Sequence, residues 1–120
     1  MELIIDRNGF RQAADKCIES RDQGELLVVV IIKIHNLHKI NVTLGYDKAD
    51  EVFRTAFEAV KESPKKLSVI CRFSGSSIGI VVNGIKFPNL VGIGLERLLN
   101  TVSGPFLLEK QQIELQATAG

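Results

Sequence analysis

Cysteine is scarce in this chain, and its two copies, Cys17 and Cys71, stand far apart without a C-x-x-C pair. That spacing excludes a dense disulfide framework and favours reduced thiols buried in a core, in a cytoplasmic setting, over metal or redox roles. Long apolar runs are missing as well. The longest, LLVVVII at 26–32, is far too short to span a bilayer, so no membrane contact is expected within these residues. Met1 is followed by Glu2 and a short apolar trio rather than a basic region and a long apolar core, which argues against a signal peptide. Neither charge dominates: 15 Lys and Arg face 14 Asp and Glu, for a net charge of +1. A nucleic-acid binder would normally show a basic face or tract, and none is expected here. No low-complexity linker or internal repeat divides the sequence.

What remains is a chain of globular composition, 45% hydrophobic and 24% charged over 120 residues, which fits one domain spanning 1–120. A domain of this size buries roughly two-thirds of its unfolded surface and needs no metal or disulfide staple.

Hydrophobic spacing then orders the elements. Phe10, Ala13, Ala14, Cys17 and Ile18 recur at helical intervals and predict a helix over 7–21, closing towards Gly24. ELLVVVIIKI is apolar on both parities, which predicts a strand buried on both faces in the middle of a sheet. A short helix around 36–43 and a turn at Gly45 follow. DKADEVFRTAFEAVKES places Ala49, Val52, Phe53, Ala56, Phe57 and Val60 on one helical face, with Asp47 and Asp50 near its start and Pro64 at its end. LSVICRF and SIGIVV read as a hairpin around SGSS. PNLVGIGLERLLNTV predicts a third amphipathic helix, stopped by Gly104-Pro105, and the rest reads as two strands about a polar turn at Glu109 to Gln112. This order predicts an α/β (α+β) sandwich with a mostly antiparallel central sheet flanked by helices.

The run IKIHNLHKINVTLGYDKADEVFRTAFEAV, the hairpin RFSGSSIGIVV, the opening DRNGF and the late GPFLLEKQQIELQATAG together resemble the GGDEF domain, the diguanylate cyclase family. The family shows D-x-D-x-F-K-x-x-N-D-x-x-G-H-x-x-G-D after its first core strand and R-x-GG(D/E)EF at the hairpin. The resemblance implies a nucleotidyl-cyclase-like fold and a domain incomplete at its C-terminal end. It also implies a chemistry in which divalent cations help condense two GTP molecules into cyclic di-GMP. It places the first metal-binding aspartate at Lys33 and the second acidic position at His35. The acidic pair of the signature turn falls on Ser76 and Ser77, its glycines on Ser74 and Gly75, and its aromatic on Ile78. Magnesium prefers oxygen ligands, mainly carboxylates, and an ammonium at about 4 Å would oppose it by ~4 kcal/mol per unit charge at an effective dielectric of 20. The R-x-x-D motif of product inhibition falls on Lys65 and Ser68, so that site too is vestigial.

The same resemblance matches the family's guanine-reading residues to Asn41 and Asp50. Both have a second reading as local helix-terminating or capping residues. Arg72 reads as a residue flanking the hairpin, and His35 with His38 is a weak zinc pair for want of a third ligand. The expectation is therefore a degenerate, catalytically inactive GGDEF domain, requiring no cofactor and taking GTP as a regulatory ligand in cyclic di-GMP signalling. The resemblance implies an EAL phosphodiesterase domain in the same polypeptide and a GGDEF-type dimer as partners. An active cyclase with atypical ligands and an interaction domain without a nucleotide site remain as alternatives.

Overall fold

The structure is a computed structural model and describes residues 2–4, 6–22, 24–62 and 67–120. Its elements are β1 (Glu2–Ile4), α1 (Arg7–Ser20), β2 (Leu26–Ile34), α2 (Leu37–Leu44), α3 (Tyr46–Lys61), β3 (Val69–Ser74), β4 (Ser77–Ile85), α4 (Asn89–Ser103), β5 (Phe106–Leu108), β6 (Gln111–Ile113) and β7 (Ala117–Ala119). Five strands make one sheet in the order β1-β3-β4-β2-β7, antiparallel except for the β1–β3 pair. The expected sandwich is the observed one, with helices on both faces of a mostly antiparallel sheet.

Alternation along the strands sends side chains into two cores. Val30, Ile32 and Ile34 of β2, Ile70 of β3 and Ile78 and Ile80 of β4 face the larger one, where α3 contributes Ala49, Val52, Phe53, Ala56 and Val60 and α4 contributes Leu98 and Val102. Burying each such valine or isoleucine is worth about 1.5–3 kcal/mol. On the other face Phe10, Ala13 and Ala14 of α1 pack on Val69, Cys71 and Val81. Asp6 caps α1 by accepting a hydrogen bond from the Gly9 amide at 2.7 Å. Gly79 of β4 is small because α1 lies so close: a Cβ there would stand 3.0 Å from the Phe10 ring.

Two expectations about β2 need correction. It is not the middle strand, since β4 holds that place, and it is not buried on both faces. Because α1 packs chiefly on β3, the α1-side residues of β2 are only partly covered and Val29 is 43% exposed. Of the two cysteines Cys71 is buried and Cys17 only half-buried.

The hairpin and the helix after it lie where their spacing predicts. The tail holds three strands rather than two. β5 and β6 pair about a turn at Glu109 and Lys110, both with positive φ, while β7 joins the main sheet beside β2. β1 and β7 are three residues long, too short for a periodicity to reveal them, and exist through their pairing partners. The expected helix stop at Pro64 lies outside the described residues.

Candidate functional site

Gly45 creates the site's first corner. At φ 94° it ends α2, donating its amide to the Asn41 carbonyl at 2.8 Å, and immediately begins α3. A backbone in this region suits glycine, and the reversal sets Asn41 of α2 beside Asp50 of α3. The second wall is the β3–β4 turn at Gly75 and Ser76. Together they enclose a pocket of about 200 Å³. Leu37 and Ala49 supply apolar lining, Asn41, Asp50 and Arg72 the polar groups, His38 and Tyr46 the rest of the helical side, and Gly75 and Ser76 the turn side.

Arg72 is the hub. It shares the strand face of buried Ile70, so its side chain runs towards α3 rather than into bulk water. Its Nη1 donates to Asp50 Oδ1 at 3.0 Å, its Nη2 to the Gly75 carbonyl at 3.3 Å, and its guanidinium lies 4.0 Å above the Phe53 ring. Arg54, one helical turn after Asp50, pairs with the other oxygen at 2.8 Å. The Arg72 hydrogen bond, reinforced by Arg54, holds the Asp50 carboxyl below the usual aspartate range against the opposing effect of partial burial. Asp50 is thus an ionised acceptor built into a charge network. It does not cap α3, whose cap is Gly45 without a side-chain bond, and neither does Asp47, which sits in the first turn.

The strand end and the turn have the opposite character. Lys33 is exposed, on the α1 side of β2, in register with Ser77 of β4 and Thr118 of β7. Ser74 and Ser77 share a hydroxyl hydrogen bond at 2.5 Å, and the Ser76 amide donates to Ser74 Oγ at 3.2 Å. The Ser74 and Ser77 hydroxyls are spent on the turn itself, and Ser77 is buried. Ile78 belongs to the core. His35 shares a hydrogen bond with Thr118 Oγ1 at 2.6 Å, while His38 lines the pocket. Ser68 directly precedes β3, its amide donating to the Val81 carbonyl at 2.8 Å. Lys65 lies outside the described residues.

Asn41, Asp50, Gly75 and Ser76 therefore meet at one pocket, and Lys33, Ser74, Ser77 and Ile78 are not part of its lining. Residue order alone does not single out Arg72, Tyr46 or His38 as pocket residues. One signal was available for Arg72: it is the lone charge in VICRF, on a core-facing parity, and a charge placed there needs a partner.

The model of the family "Diguanylate cyclase, GGDEF domain" matches residues 3–120. The chain belongs to the GGDEF domain family. Among curated relatives it is similar to the cyclic di-GMP phosphodiesterase NbdA of Pseudomonas aeruginosa, 22% identical over 118 residues, covering 98% of this chain and 15% of that protein. It spans only 16% and 15% of the lengths of the curated relatives it matches. Its fold is that of the GGDEF domain of DgcB from Caulobacter crescentus, solved in complex with c-di-GMP, at TM-score 0.77 and 16% identity over 96% of this chain and 68% of the other. An EAL/GGDEF domain protein from M. capsulatus matches at TM-score 0.72 and 22% identity over 95% and 74%.

The family implies a divalent cation. The side chains at its expected place, Lys33, His35, Ser76 and Ser77, offer an ammonium, an imidazole and two hydroxyls, a donor set that does not fit a hard cation seeking carboxylates. Among the described residues no helix is long and apolar enough to cross a membrane.

Proposed function

We propose that this GGDEF domain is non-catalytic and acts as a regulatory module in cyclic di-GMP signalling, binding GTP as a ligand without condensing it. The observation that carries this reading is the split between the two halves of the site. Asn41 and ionised Asp50 line one pocket, while Lys33 stands in register with Ser77 where the family places metal-binding carboxylates. An amide and a carboxylate suit the hydrogen-bonding edge of guanine. A phosphoryl transfer that relies on divalent cations lacks its ligands. The natural effector of such a module is an EAL phosphodiesterase domain in the same polypeptide, in keeping with the EAL/GGDEF relative, and a GGDEF-type dimer is a second route for transmitting occupancy.

Calorimetric titration with GTP, with and without magnesium, combined with chromatography for cyclic di-GMP, tests this. Weak GTP binding with little metal dependence and no product is expected; product formation, or binding that needs magnesium, refutes it. The occupation of both Asp50 oxygens by arginines favours a second reading, an interaction domain without a nucleotide site, which predicts no heat with GTP, GDP or cyclic di-GMP.

A further inference from the structure

Asp50 is held by two arginines that are not equivalent. Arg54 is largely exposed and reaches Asp50 along its own helix, an ordinary surface pair. Arg72 comes from β3 and is fixed at three points: the carboxylate, the Gly75 carbonyl of the turn and the Phe53 ring. An ionised carboxylate offers about four lone-pair positions. Each oxygen of Asp50 gives one to an arginine, so each retains acceptor capacity for a ligand in the pocket.

We infer that Arg72 is a positioning residue that sets purine selectivity: its guanidinium, with one nitrogen on Asp50 Oδ1 and the other on the Gly75 carbonyl, orients the carboxylate so that the free lone pairs meet the two N–H donors of guanine. The inference rests on the guanine-binding reading above. Guanine presents N1–H and its 2-amino group along that edge. Adenine presents an unprotonated N1 to the same oxygens and is repelled. A carboxylate free to rotate accepts from water and discriminates less, and a lysine at residue 72 supplies charge without the planar fork that fixes orientation. Tying the carboxylate to Gly75 also couples the base pocket to the signature turn.

The test is calorimetry with GTP, inosine triphosphate and ATP on the wild-type chain, Arg72→Lys and Arg54→Gln, together with carbon NMR of the Asp50 carboxyl as pH is lowered. The groups facing Asp50 are Arg54 on α3, Arg72 on β3, His38 on α2 and Tyr46 at the start of α3; a His38→Gln background separates histidine titration from that of Asp50. Arg72→Lys is expected to weaken GTP by about tenfold, a single hydrogen bond's worth, while leaving ATP unchanged and moving the Asp50 titration to higher pH. Arg54→Gln is expected to alter the GTP to ATP ratio by less than about threefold. If the wild-type chain shows no saturable GTP binding, the nucleotide reading and this inference fall together. If it prefers GTP and Arg72→Lys keeps the same ratio, or loses both nucleotides equally, this inference alone falls. Should Arg72→Lys not fold, the wild-type protein still decides: the Arg72 guanidinium NMR signals are expected to shift with GTP and not with ATP, and unmoved signals overturn the inference.

Discussion

The two sides of the signature hairpin differ in how they use charge. On the α3 side Asp50, Arg54 and Arg72 form a network over Phe53, with both carboxylate oxygens engaged and one guanidinium reaching the turn backbone. On the strand-end side Lys33 is exposed and the hydroxyls of Ser74 and Ser77 bond to one another. The first arrangement holds an anion ready. The second satisfies its own polar groups and leaves a single positive charge. The hairpin is closed by its own groups, the Ser74 and Ser77 hydroxyls and the Ser76 amide, while the α3-side network reaches it through the Gly75 carbonyl.

Removing the ring beneath the network should break the comparison most severely. Phe53 is 1% exposed, and Phe53→Ala is expected to cost about 3–5 kcal/mol in urea denaturation, while also freeing Arg72 from its stacking surface. Making the strand-end side resemble the family is the next largest change. Lys33→Asp combined with Ser76→Glu reverses the local sign, and GTP affinity is expected to become at least about tenfold tighter with magnesium than without, whereas little difference is expected for the wild-type chain. Equal affinity with and without the metal in the double variant would show that the sign of charge is not what separates the two sides.

Acid sharpens the contrast further. The Asp50 carboxyl titrates below its ordinary value near 3.8 because of Arg72 and then Arg54. Its contribution to stability is complete above that value and is lost as pH falls through the lower, folded one. Arg72→Gln removes the main cause, so the acid-unfolding midpoint, followed by circular dichroism, should move to higher pH; Lys33→Gln should leave it in place. The smallest effect is expected at a pair that joins neither network, where Lys48 of α3 meets Glu109 of the β5–β6 turn. Glu109 raises the Lys48 pKa above 10.5, so this contribution is complete below that value and disappears as pH rises through the folded one. Lys48→Met should flatten the alkaline limb of the stability profile and change little at neutral pH.

Much of this was legible from residue order. The α3 face from Ala49 to Val60, the hairpin around Gly75 and the helix ended by Gly104-Pro105 announce themselves by period and by turn residues, which are local properties. Asn41 and Asp50 were legible because their spacing to Gly45 belongs to one continuous segment. The role of Arg72 was not, since its partners lie on α3 and in the turn, and only the packing of β3 against α3 brings them together.

The sequence by itself determined the chemistry available at each position: an ammonium at Lys33, hydroxyls at Ser76 and Ser77, an amide at Asn41 and a carboxylate at Asp50. Side-chain identity is covalent and survives any fold. Only the tertiary structure decided which of these groups share a pocket, that both Asp50 oxygens are held by arginines, and that Ser74 and Ser77 satisfy one another. Hydrogen bonds and ion pairs form over about 3 Å, and nothing in chain order brings β3, α2 and α3 within that distance until the sheet and its helices have packed.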